Sequence, residues 1–139
     1  MTAPRPSLFI DASAWVAVEY PKERNHDTAR AFLEGLRETQ RFGYVHTSLH
    51  ALLEAHGWLL HHASAAHASR LLDRVQRGVG LHGTDREILW AAAARLATRK
   101  AAAVELADAM NAVVMDRLGI RSIWSYDREY ERMGYERVG

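Results

Sequence analysis

Two hydrophobic rhythms alternate along this chain: short unbroken apolar runs, and stripes spaced at i, i+3, i+4 and i+7. The run Ser7-Leu8-Phe9-Ile10, ending on Asp11-Ala12-Ser13, predicts a buried strand feeding a helix. Ser13 is the expected cap of a helix over residues 14–18, which Pro21 ends because proline cannot continue the backbone ladder. From Asp27 onward, Ala29, Phe32, Leu33 and Leu36 recur at helical spacing, with Arg30, Glu34, Arg37 and Glu38 on the other side. Residues 43–46 predict a second strand. Thr47 or Ser48 then caps a helix carrying Leu49, Leu52, Leu53, Glu54 and Leu60.

The stripe Ala65, Ala68, Leu71, Leu72 and Val75 predicts a further helix ending at Gly78, with Arg70, Arg74 and Arg77 on a separate face. Residues 80–83 read as a weak third strand. Thr84-Asp85-Arg86-Glu87 has the form of a capping box for the helix that follows, running to about residue 97. Alanine content predicts one helix over residues 101–118, burying Leu106, Met110, Val113, Val114 and Leu118 and stopping at Gly119. Residues 120–124 are a fourth strand, followed by a helical turn around Tyr130 and a final strand near residues 136–138. Strands alternating with helices imply an α/β fold, with a mostly parallel sheet covered on both faces.

Length and composition narrow the classes. With 139 residues, 48% hydrophobic and 25% charged, the expectation is one globular domain over residues 1–139. The absence of cysteine excludes disulfides, thiolate zinc sites and cysteine nucleophiles. A net charge of +1 provides no global field for nucleic acid, so such a partner must be held locally. No apolar run is long enough for a membrane span or a signal peptide, and the expected location is the cytoplasm.

In a parallel sheet the usable crevice lies beyond the carboxyl ends of the strands. Asp11, Glu54, Asp108 and Asp127 all fall after a strand or early in a helix, and so belong at that edge. Composition does not single them out from 17 acids. Carboxylates gathered at neutral pH repel one another, and a divalent cation is the usual remedy. Oxygen ligands suit a hard ion, Mg²⁺ or Mn²⁺, whose chemistry with water and phosphate is that of metal-dependent nucleases.

Four segments carry a resemblance. They are Leu8-Phe9-Ile10-Asp11-Ala12-Ser13-Ala14; Thr47-Ser48 ahead of Leu52-Leu53-Glu54; Leu106-Ala107-Asp108-Ala109 leading to Leu118-Gly119-Ile120; and Ser125-Tyr126-Asp127 with Tyr130 and Gly134. In order and spacing, over nearly the whole chain, they resemble the PIN-domain ribonucleases, and among these the VapC-type toxins of toxin-antitoxin pairs. The resemblance implies a Rossmann-like three-layer α/β/α fold and Mg²⁺ or Mn²⁺ as cofactor. It implies endonucleolytic cleavage of RNA leaving a 5′-phosphate and a 3′-hydroxyl. Metal would be held by Asp11, Glu54, Asp108 and Asp127, with the Ser125 hydroxyl holding a metal-bound water or orienting Asp127. A homodimer and a cognate antitoxin protein are the implied partners. Where relatives carry Ser or Thr three residues before the third acid, this chain has Glu105, either a fifth acid at the site or a solvated side chain. Ser125 stands where relatives commonly have Thr, and keeps the hydroxyl.

Plainer roles stand beside these. Asp11 has the position of a helix cap, Glu54 of an exposed helix acid, Asp108 of an acid offsetting the helix dipole, and Asp127 of a turn-initiating residue. Asp116 is expected to be solvated. His46, His50 and Glu54 have the spacing of a zinc stripe, and His50 is a candidate general base. Arg70, Arg74 and Arg77 either track RNA or form a solvated face. Trp15, Phe32 and Trp58 either pack in the core or line a groove for an antitoxin segment. The competing functions are a PIN-like RNA or protein binding module without turnover, a housekeeping PIN nuclease, and a phosphoacceptor receiver domain. The last wants an adjacent acid pair where Asp11 is followed by Ala12.

Overall fold

The computed structural model describes residues 4–98 and 104–139. Its elements run β1 (Leu8–Ile10), α1 (Ala12–Glu19), α2 (His26–Thr39), β2 (Val45–Ser48), α3 (Leu49–His62), α4 (Ala65–Gly78), β3 (Gly80–His82), α5 (Arg86–Thr98), α6 (Leu106–Leu118), β4 (Ser122–Trp124), α7 (Glu129–Arg132) and β5 (Glu136–Val138). The strands form one sheet in the order β3-β2-β1-β4-β5, and every pairing is parallel.

Because strand side chains alternate, β1 feeds two cores. Leu8 and Ile10 pack with Trp15, Leu52, Leu59, Leu71 and Trp124 under α1 to α4. Phe9 points the other way, into Ile88, Met110, Val113, Ile123 and Tyr130 under α5 to α7. This is the expected Rossmann-like three-layer arrangement. β1 and β4, covered on both faces, are buried at every residue. No described helix is long and apolar enough to cross a membrane.

Several boundaries differ from the sequence reading, each for a local reason. The second strand begins at Val45 and takes in Thr47 and Ser48. Ser48 still caps α3, accepting the Ala51 N–H. Ser13 lies inside α1, whose N-cap position is Asp11. Asp85, not Thr84, accepts from the Ile88 N–H at the start of α5, and Thr84 Oγ1 turns to His50. The late helix starts at Leu106, preceded by extended Glu105, while residues 101–103 of that expected helix lie outside the described residues. Leu106 and Leu118, expected in the core, are exposed at the two ends of α6. Gly119 ends this helix with φ of 69°, a left-handed conformation that glycine adopts without steric cost.

Candidate active site

From β1 the chain builds outward through β2 to β3, then returns to the far side of β1 for β4 and β5. A crevice opens beyond the strand ends where the order reverses, and the residues that close β1 and β4 meet there. Asp11, only 4% exposed, follows β1 directly. Its Oδ2 accepts from Ser125 Oγ at 2.8 Å and Ser13 Oγ at 3.1 Å; its Oδ1 faces Asn111 Nδ2 at 3.3 Å and Tyr130 Oη at 3.4 Å. Burial pushes the Asp11 carboxyl up, and these hydroxyl bonds oppose the shift.

Asp108, in the first turn of α6, accepts from Tyr130 Oη at 3.0 Å. Burial first, and then the Asp11 carboxylate, push its pKa up to about 8; a hydrogen bond with Asp127 further favours the protonated form. Asp127 follows β4 and is fixed at both ends. Its N–H donates to Ser125 Oγ at 3.0 Å, and its Oδ1 accepts from the Glu129 N–H at 2.9 Å. Glu54 stands at the rim on α3, its carboxyl pushed up by partial burial and by the charges of Asp11 and Glu105.

All four acids line one pocket of about 370 Å³. Glu105 and Glu23 line it too, and Val16, Trp58 and Tyr126 supply an apolar side. Six of the lining residues are carboxylates and none is Lys, Arg or His. Surplus negative charge on oxygen donors, with no side-chain cation to offset it, fits a hard divalent ion. Among the described residues no three or more Asp, Glu or His side chains stand close enough together to hold a metal ion by themselves. An open set of oxygens suits Mg²⁺, which keeps several waters and takes one or two carboxylates, better than zinc.

The PIN domain family profile matches residues 8–135 of this sequence. The chain belongs to the PIN-domain family. Among solved structures, VapC20 of Mycobacterium tuberculosis, a sarcin-ricin loop cleaving toxin, aligns with a TM-score of 0.81 at 21% identity, covering 92% of this chain and 95% of that one. VapBC2 from Rickettsia felis, solved bound to a DNA fragment from its promoter, aligns with a TM-score of 0.68 at 10% identity, covering 95% and 97%. At such identities the likeness is one of fold. A search of the curated proteins finds no match.

Within this PIN domain Glu105 lines the acid pocket from the extended position just ahead of α6. The histidines go elsewhere. His46 Nδ1 pairs with His82 Nε2 at 2.9 Å, and His50 has both ring nitrogens committed to Thr84, Ala107 and Ser48. Asp116 is not simply solvated: it pairs with Arg95 at 2.8 Å and accepts from Tyr135 Oη at 2.6 Å. Of the expected arginine stripe, Arg74 turns inward to buried Glu19, at 2.5 Å. Trp15 is core, its indole N–H donating to Thr47 Oγ1 at 3.1 Å. Phe32 packs on Trp124, and Trp58 stacks on His62 beside the acids.

Sequence reasoning assigned no site role to Asn111 or Tyr130, and gave Ser13 none beyond a helix cap and a place in the resembling segment. The signal for Asn111 was present, as an amide inside the otherwise apolar buried run from Ala109 to Met115 and three residues past Asp108. Tyr130 stands in the sequence reading only as part of the resemblance and as a helical turn, because its hydroxyl reaches Asp108 only through the docking of α7.

Proposed function

We propose that this PIN domain is a divalent-metal-dependent endoribonuclease that cuts single-stranded or loop RNA and acts as the toxin of a toxin-antitoxin pair. The observation that carries the reading is the set of carboxylates on one pocket at the sheet's switch point with no cationic side chain among them. Asp11, Glu54, Asp108 and Asp127 are the residues that would hold Mg²⁺ or Mn²⁺. Such an ion would supply activation of water and offset the charge that develops on the phosphate.

The chain's own contribution is preorganisation. Ser125 donates to Asp11 and receives the Asp127 N–H, so one hydroxyl fixes the spacing of two acids from adjacent strands. Ser13 ties α1 to the same point by donating to Asp11 and accepting the Tyr126 N–H. Tyr130 donates to Asp108, favouring its charged form against burial.

An antitoxin segment has a receptive surface in the groove of about 590 Å³ between α2 and α4, floored by Trp15, Phe42, Val45 and Val79. Arg37, Arg70 and Arg77 line it against a single acid, Asp73, which favours an acidic amphipathic segment. The same reading includes a homodimer, expected to give twice the 15.7 kDa chain mass in light scattering.

The test is cleavage of a mixed cellular RNA pool by purified protein in Mg²⁺, in Mn²⁺ and in chelator, with Asp11→Asn as the contamination control. Discrete fragments that need both metal and Asp11 are expected. Folded wild-type protein that cuts nothing in either metal would point instead to a binding module.

A further inference from the structure

We propose that His50 is a positioning residue: its ring proton sets the direction of a hydrogen-bond chain that ends on Asp11 and Asp108. The inference rests on the reading of those acids as the metal-binding site. The imidazole lies in the first turn of α3 and touches three other parts of the fold. Its Nδ1 is 2.8 Å from Thr84 Oγ1, between β3 and α5. Its Nε2 is 3.2 Å from the Ala107 carbonyl oxygen, one residue before Asp108, and 3.2 Å from Ser48 Oγ, at the end of β2.

Donor and acceptor counts fix the tautomer. The Ala107 carbonyl only accepts. Ser48 has one hydroxyl proton, given to Asn111 Oδ1 at 2.8 Å, so toward the imidazole it too can only accept. Nε2 must therefore carry the proton, which leaves Nδ1 to accept from the Thr84 hydroxyl.

The same logic runs onward. With Oδ1 receiving Ser48, the Asn111 amide must turn its two hydrogens the other way, to Asp11 Oδ1 at 3.3 Å and Tyr130 Oη at 2.9 Å. Tyr130 then has one proton to give, and the nearer acid oxygen is Asp108 Oδ1 at 3.0 Å, against 3.4 Å to Asp11. Each donor in the series His50, Ser48, Asn111, Tyr130 points toward the carboxylates. A reversed amide at Asn111 would set its carbonyl oxygen against Asp11, and the His50 proton disfavours that reversal by holding the Ser48 hydroxyl in its donating direction. Neither ring nitrogen faces a carboxylate of the site, so His50 acts through its neighbours rather than as a base.

The experiment compares wild type, His50→Leu and His50→Gln as full chains. Gln retains an amide N–H within reach of the Nε2 position; Leu retains none. Mn²⁺ titration by calorimetry is expected to show binding about five- to tenfold weaker in His50→Leu, the worth of about one hydrogen bond, and within about twofold of wild type in His50→Gln. Nitrogen NMR of the imidazole, assigned by its loss in His50→Gln, is expected to show the Nε2–H tautomer. Equal Mn²⁺ affinity in wild type and His50→Leu, equal losses in Leu and Gln, or an Nδ1–H tautomer would each overturn the proposal. Wild-type protein that neither binds Mn²⁺ nor cuts RNA would overturn the metal-nuclease reading itself. The two failures are distinguishable because the tautomer is read without metal.

Discussion

Tyr130 Oη lies 3.0 Å from Asp108 Oδ1, joining a four-residue helix near the C-terminus to the first turn of α6. Its hydroxyl is the one donor among the described hydrogen bonds that reaches Asp108, and it opposes the burial and charge repulsion that raise this carboxyl. Tyr130→Phe should therefore push Asp108 higher. The expected result is an acid limb of the pH–rate profile moved to higher pH, and cleavage reduced about tenfold near neutrality, the worth of one charge-assisted hydrogen bond. An unmoved limb would remove Tyr130 from the site.

Neutralising an acid should separate activity from stability. Asp11→Asn and Asp108→Asn are each expected to lower cleavage by about a hundredfold or more, because on the proposed function each removes an oxygen donor and a charge from the pocket that would hold the metal. Asp108→Asn should also raise the Tm of metal-free protein at pH 8, since it removes a carboxylate destabilised by burial and by Asp11. Melting curves with and without Mn²⁺ check both halves: the variant gains in chelator and loses the metal's stabilisation.

The raised Asp108 carboxyl fixes the sign of the pH dependence. Its pKa is near 8 when folded, well above an ordinary aspartate, so between roughly pH 4 and pH 8 the folded chain holds a proton that the unfolded chain has released. This stabilising contribution is complete below the unfolded pKa and is lost as pH rises through the folded one. Metal-free protein should melt at progressively lower temperature from pH 5 to pH 8, with a shallower slope in Asp108→Asn. Metal binding at pH 7 should release protons, measured as a buffer-dependent binding enthalpy.

Glu19 and Arg74 give a prediction away from the site. Glu19 is buried on α1 and its carboxylate is met by Arg74 of α4, itself mostly covered. Arg74→Ala leaves that charge unpaired and is expected to cost about 3 kcal/mol in urea unfolding. The double variant Glu19→Leu with Arg74→Leu should recover most of the loss. If Arg74→Ala unfolds like wild type, the pair contributes nothing.

Much of this architecture is written in local pattern. Alternating apolar runs and helical stripes predict all five strands, the second displaced by two residues, and each main helix, because a strand buried on both faces needs a continuous apolar run and a covering helix needs a stripe. The acids at positions 11, 54, 108 and 127 fall after a strand or early in a helix, positions that a parallel sheet sends to one edge, but it is the resemblance to the PIN-domain ribonucleases that singles them out from 17 acids. Tertiary structure alone decided what holds them. Ser125 meets Asp11 across 114 positions of sequence, Asn111 across 100 and Tyr130 across 119. These contacts exist only because β4 lies beside β1 and α6 packs beneath them. It also decided that Thr84 bonds His50 instead of capping α5, that Asp116 binds Arg95, and that Arg74 turns inward to Glu19. Periodicity reports which face of an element is buried, whereas the partner of a polar group is set by which elements the fold makes neighbours.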